Sequence, residues 1–171
     1  MKQYAIPLPP AQEIPDIGFY MDQVITYMER YYPEKPLTKT MINNYTKDRI
    51  IYPSIKKKYS REHLMLLLLL QVLKTTLPLP KIKDLLGPIS LETEKGNTQP
   101  LHQLYTNYIE LSPAIMKLAA ETAQKAKGFG DFELGLPLVY STLSGFLAQH
   151  ASQSICLTDS PEWGHKSGKS K

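Results

Sequence analysis

Between residues 37 and 61 the chain gathers lysines, arginines, amides and hydroxyls in a spacing that suits contact with a polyanion. On a helix turning about 100° per residue, Leu37, Met41, Ile42 and Tyr45 share one side, and Lys39, Thr40, Asn43, Thr46 and Lys47 share the other, with Asn44 at its flank. That polar side carries no acid. Lysines reach phosphates or guanine edges, and an asparagine can pair bidentately with adenine, so this face fits the major groove of double-stranded DNA. Arg49, Lys56, Lys57, Lys58, Tyr59 and Arg61 follow and extend the expected DNA-binding set. Residues 35–63 hold eight Lys or Arg against two Asp or Glu, whereas residues 1–34 hold two against five, so the positive charge is concentrated in one stretch. Taken alone, a basic helix face is an ordinary solvated surface. A short preceding helix, a lysine cluster on an expected wing and the missing acids tip the reading towards DNA.

The elements that must position these groups follow from periodicity and breakers. Residues 1–15 hold Pro7, Pro9, Pro10 and Pro15 and read as an extended arm wrapping another surface. With Asp16 as N-cap, Ile17, Tyr20, Val24, Tyr27, Met28 and Tyr31 recur at helical spacing. Pro33 and Pro36 end that helix, and residues 37–48 form the second, with Thr38 near its start. Residues 52–59 lack helical periodicity and read as a hairpin or extended loop. Ser60 then caps a third helix, although the capping-box position three residues on holds His63 in place of Glu or Gln, which leaves that box imperfect, and Leu64–Leu70 is apolar throughout, which makes this helix the central strut. Ile82, Leu85 and Leu86 belong to a short fourth helix that Gly87-Pro88 should stop, and residues 89–98 read as a linker. Two more helices are expected, at 100–127 with a break at Ser112-Pro113 and at 133–154, separated by Gly128–Asp131. The fold class is therefore all-α, organised as a DNA-binding module with its arm over 1–88, a C-terminal helical region over 98–157 for dimerisation or sensing, and a disordered tail over 158–171.

Other chemistries are poorly served. Cys156 has no basic neighbour in its turn and is expected to be inert. His63, His102, His150 and His165 show no ligand spacing with Cys, Asp or Glu, so no metal and no cofactor are expected. Gly128-Phe129-Gly130 lacks the lysine of a phosphate loop, and no carboxylate pair or nucleophile with its base stands out, so an enzyme is not expected. The longest apolar run is seven residues, short of the roughly 20 a membrane span needs. No secretory leader is evident, and with one cysteine a cytoplasmic location is expected.

Beyond these readings, Ile42-Asn43-Asn44-Tyr45-Thr46-Lys47-Asp48-Arg49-Ile50-Ile51, Pro53, Lys57, Tyr59, Leu73-Lys74 and Leu79–Leu86 resemble, in order and spacing, the DNA-binding module of the MerR transcription regulators. Arg49 stands where that module has a turn glycine, and Asn43 where it has an arginine. Residues 20–24, 37–45 and 56–63 are also similar to a Gram-positive bacterial family, domain of unknown function 1836. The resemblance implies a MerR-like winged helix-turn-helix with a small wing, followed by further helices.

The expected function is a sequence-specific regulator of transcription, with helix 38–48 in the major groove and wing 52–59 on the backbone. The alternative is a MerR-like protein-interaction adaptor without DNA binding. The expected partners are double-stranded DNA, a second copy of the chain and an unidentified small-molecule effector, with no membrane. Leu104, Ile115, Met116, Leu136, Val139, Leu143 and Phe146 are the expected dimer material. Together with Tyr105, Tyr108 and Tyr140 they could instead line a pocket or simply pack as core.

Overall fold

The computed structural model describes residues 8–126 and 135–156, so the expected tail over 158–171 and the Gly128–Asp131 separator lie outside the described residues. The described chain is mostly helical: α1 (Met21–Glu29), α2 (Lys39–Lys47), α3 (Arg61–Leu73), α4 (Leu79–Glu94), α5 (Gln99–Ala126) and α6 (Gly135–Cys156). The apolar run of α3 becomes the centre of the core, every residue from His63 to Gln71 being buried. Helices α1, α4 and α5 pack against it on different sides, which is what a helix without a polar face requires.

From Leu8 on, the described part of the proline-rich arm is tied down on the core. It makes one 3-10 turn, Ala11–Glu13, and buries Leu8, Ala11 and Ile14. Two side chains hold its backbone: Tyr105 Oη donates to the Pro9 carbonyl at 2.8 Å, and Arg61 Nε donates to the Ile14 carbonyl at 2.8 Å. The long turn between α1 and α2 is held on α3 by Gln71 Nε2, which donates to the Lys35 carbonyl at 3.1 Å.

Helix α1 begins later than its periodicity suggests. Gly18 adopts φ 67°, which breaks the helix upstream, so Ile17 is 68 % exposed instead of facing the core. The cap is Tyr20, whose N–H donates to Gln23 Oε1 at 2.9 Å, and not Asp16.

Two expected breaks are corrected. Helix α4 does not stop at Gly87-Pro88 but runs on to Glu94, through the expected linker. Ile82, Leu86, Ile89 and Thr93 lie on one buried face at helical spacing, and packing of that face outweighs the hydrogen bond lost at Pro88. Helix α5 likewise passes through Ser112-Pro113 without ending. Pro113 deprives the Ile109 carbonyl of its N–H, and Ser112 Oγ donates to that same carbonyl at 3.1 Å.

Candidate nucleic-acid interface

Helix α2 is capped at both ends by its own sequence. Thr38 Oγ1 accepts from the Met41 N–H at 3.2 Å, as an N-cap should. At the other end Arg49 N–H donates to the Thr46 carbonyl at 3.1 Å and Ile50 N–H to the Tyr45 carbonyl at 3.0 Å, a Schellman motif that needs a left-handed residue. Arg49 takes that conformation, φ 58°, in the place where a glycine would fit without strain. Ile42 and Tyr45 are buried, and Lys74 from the end of α3 donates to Tyr45 Oη at 2.8 Å, anchoring the helix from below. Thr40, Asn43, Asn44 and Lys47 point outwards.

The expected hairpin is a minimal one. Ile55 and Lys58 exchange both backbone hydrogen bonds, at 3.0 and 2.9 Å, around Lys56 and Lys57. These two lysines have φ 51° and 64°, as a two-residue primed turn demands, although such turns usually carry Asn-Gly. Just below, Tyr59 and Phe19 pair across an antiparallel bridge at 2.7 and 2.8 Å. The segment before α1 thus serves as the third side of the hairpin.

Short contacts join this hairpin to α2 by way of α1. Lys58 Nζ lies over the Tyr20 ring, 5.6 Å from its centroid, and Tyr20 is the N-cap of α1. Two residues further, Asp22 pairs with Lys39 at 2.7 Å, at the first residue of α2. The N-terminal ends of both helices and the base of the hairpin therefore meet.

The twelve residues expected to contact DNA divide accordingly. Thr40, Asn43, Asn44, Lys47, Lys56 and Lys57 are exposed, and among the described residues these three lysines enter no ion pair. Lys39 is exposed but held by Asp22, and Arg49 lies 3.6 Å from Glu94. Lys58 is exposed with its ammonium on Tyr20. Three do not present themselves as expected. Tyr59 is buried beneath the hairpin, Thr46 is half-buried and donates its hydroxyl back to the Ile42 carbonyl at 3.1 Å, and Arg61 is half-buried and spends Nε on the arm. Tyr20, expected in the apolar stripe of the first helix, and Ile55, which the sequence does not single out, instead stand 55 % and 65 % exposed on the hairpin ladder.

Under the hairpin lies a polar network. His63 is fully buried; its Nδ1 accepts from the Ser60 N–H at 2.9 Å, which leaves Nε2 to carry the proton towards the Pro53 carbonyl at 3.2 Å. Burial pushes the His63 imidazole down to about 4, against the opposing pull of the Pro53 carbonyl and Glu62. Ser60 Oγ donates to Glu62 Oε2 at 2.7 Å. Burial works to raise the Glu62 carboxyl, but Ser60, its own backbone and His102 outweigh it and hold the group below its ordinary value. Ser60 Oγ and His63 Nδ1 are 3.1 Å apart, but the hydroxyl proton goes to Glu62 and Nδ1 already accepts from the Ser60 N–H, so the pair forms the capping box of α3.

Among the described residues no His, Cys, Asp or Glu group is arranged to hold a metal ion, and no helix is long and apolar enough to cross a membrane. Tyr105 is buried core, and Leu104, Tyr108 and Ile109 pack half-buried against it. Met116 and Leu143 are half-buried, while Leu111, Ile115, Leu118, Phe146 and Leu147 are each more than half exposed. The side chains of Leu136, Val139, Tyr140 and Cys156 lie outside the description.

No curated protein and no solved structure matches the chain. The profile of one family, described as Domain of unknown function (DUF1836), matches residues 9–108, from the anchored arm through the first third of α5. That span covers more than half of the chain and contains every residue of the α2 and hairpin surfaces, so the chain belongs to the family DUF1836.

Proposed function

We propose that the chain is a sequence-specific double-stranded-DNA-binding regulator of transcription built on a MerR-like winged helix-turn-helix, with α2 as recognition helix and the 55–58 turn as wing. The observation that carries this reading is the pairing of an acid-free exposed face on α2 with a turn that holds two lysines in left-handed backbone. Lysines at both central positions of such a turn cost stability that Asn-Gly would save, and retained strain points to use. The closeness of the hairpin base to the start of α2 supports joint engagement, because recognition helices read bases with their N-terminal residues.

In this reading Asn43, Asn44, Thr40 and Lys47 meet base edges, and Lys56 and Lys57 meet phosphates. The regulator acts as a homodimer in the cytoplasm, where its DNA is, and the exposed apolar residues of α5 and α6 supply the dimer face or the site of a small-molecule effector. The Asp22–Lys39 and Arg49–Glu94 pairs favour the second reading, a protein-interaction adaptor on the same fold, since they withdraw two cations from phosphate contact.

Binding to mixed genomic duplex over a salt series separates the two. The two phosphate contacts of Lys56 and Lys57 give a log–log slope of about −1.8 for each bound chain, whereas binding that persists only with a protein partner and no salt-dependent duplex binding removes the DNA reading. Selection of bound duplexes from a random pool then gives the site.

A further inference from the structure

The hairpin carries more apolar surface than phosphate contact requires. Of the ten large hydrophobic side chains exposed among the described residues, three lie on or beside this ladder: Ile17, Tyr20 and Ile55. Ile55 directly precedes the Lys56-Lys57 tip and pairs through its backbone with Lys58, whose side chain crosses Gly18 and ends over the Tyr20 ring. Gly18 allows that crossing, since a Cβ there would stand 3.3 Å from Lys58 Cδ. The stem of Lys58 therefore lies along the same segment as Ile17 and Tyr20.

An exposed Ile at the shoulder of a short turn contributes nothing to this core, and a solvated hairpin would ordinarily carry Thr or a charge there. Between successive phosphates a DNA strand offers one apolar surface, the CH face of deoxyribose. We propose that the hairpin is an amphipathic clamp for the duplex backbone, in which Lys56 and Lys57 meet phosphates while Ile55 and Tyr20 lie against the deoxyribose faces between them. This rests on the DNA reading above and deepens it, naming two contacts that are blind to sequence and, unlike the lysines, to salt. Lys58, drawn onto the Tyr20 ring, holds that ring in place and carries less of the phosphate contact than its two neighbours.

The test uses the full chain and a fluorescently labelled 30-base-pair mixed-sequence duplex, titrated by anisotropy across a salt series. Ile55→Ser and Tyr20→Ser are compared with Lys56→Gln/Lys57→Gln, and circular dichroism checks that each retains wild-type helicity. Ile55 is 65 % exposed and lies outside the core cluster, so Ile55→Ser keeps the test open if Tyr20→Ser fails to fold. Ile55→Ser is expected to weaken binding about fivefold with the salt slope unchanged, since no counterion is released by an apolar contact. The double lysine variant is expected to make the slope shallower by about 1.8. Equal affinity for Ile55→Ser, Tyr20→Ser and wild type overturns the clamp while leaving DNA binding intact, as does a loss at Ile55→Ser that comes with a changed slope. A wild-type chain that binds no duplex overturns the DNA reading itself and the clamp with it.

Discussion

Asp22, in the first turn of α1, holds Lys39, the first residue of α2, at 2.7 Å with both side chains largely exposed. An exposed pair of this kind adds at most about 1 kcal/mol to the fold, but it sets a carboxylate at the mouth of the proposed groove-facing helix. Asp22→Asn should therefore tighten duplex binding severalfold at low salt and steepen the log–log salt slope by about 0.9 as Lys39 becomes available. Anisotropy titration measures both, and an unchanged slope would place Lys39 away from the phosphates.

Asn43→Ala and Lys47→Ala lie on the exposed face opposite Tyr45 and should leave the thermal midpoint within about 2 °C of wild type. Loss of a bidentate asparagine should cost about 1 to 3 kcal/mol on the selected site and relax preference at one base pair. If site selection returns the same sequence for both variants, α2 does not read bases.

Replacing Lys56-Lys57 by Asn-Gly should separate stability from binding. The left-handed backbone at both positions suits the new residues, so urea unfolding should show a gain of about 1 to 2 kcal/mol. Duplex affinity should fall at the same time on every sequence. A variant that is stabilised with no loss of affinity would make the strained turn an accident of the fold.

The buried His63 sets the acid limit of the fold. Neutral in the native chain down to about 4 but with an ordinary value of 6.5, it binds a proton on unfolding throughout that window. Stability should thus be flat above pH 6.5 and fall as the pH drops from 6.5 to 4, by a total on the order of 3 kcal/mol. The Glu62 carboxyl, held low, loses its contribution only as the pH falls below the ordinary carboxylate range, so pH 5 to 6.5 isolates the histidine. Urea midpoints across that interval test the slope. His63→Gln, which keeps a capping group at the same place, should abolish it.

Light scattering should give twice 19.4 kDa for the full chain in the high micromolar range, and 19.4 kDa for Leu111→Glu/Leu118→Glu, both sites being about 60 % exposed. A wild-type mass of 19.4 kDa throughout would remove the dimer and the expectation of a palindromic operator.

Where local sequence and packing agree, the fold was legible. Thr38 and Ser60 are the caps their types suggest, Leu64–Leu70 is the buried strut, and the stretch around Lys56 turns where helical periodicity lapses. Legibility failed where tertiary packing outweighed a breaker, as Ile89 and Thr93 do for Pro88, or where a neighbouring hydroxyl mended one, as Ser112 does for Pro113. Exposure was the least legible. Tyr59 looked like a wing residue, but its backbone pairs with Phe19, 40 positions away, and its ring turns inwards. Arg61 looked like a phosphate contact until the arm came close enough to take it. Nothing local marks Ile55 as exposed, because an isoleucine between a serine and a lysine is as often an inward strand residue.

Helix α5 continues past Pro113 as one unbroken helical segment. At 28 residues it is about 42 Å long, fastened near one end by Tyr105 to the arm and extending past residue 108, where the match to the family profile ends. Anything that held the exposed Leu111, Ile115 and Leu118 would therefore sit on the same helix that Tyr105 ties to the arm, with no loop between the two.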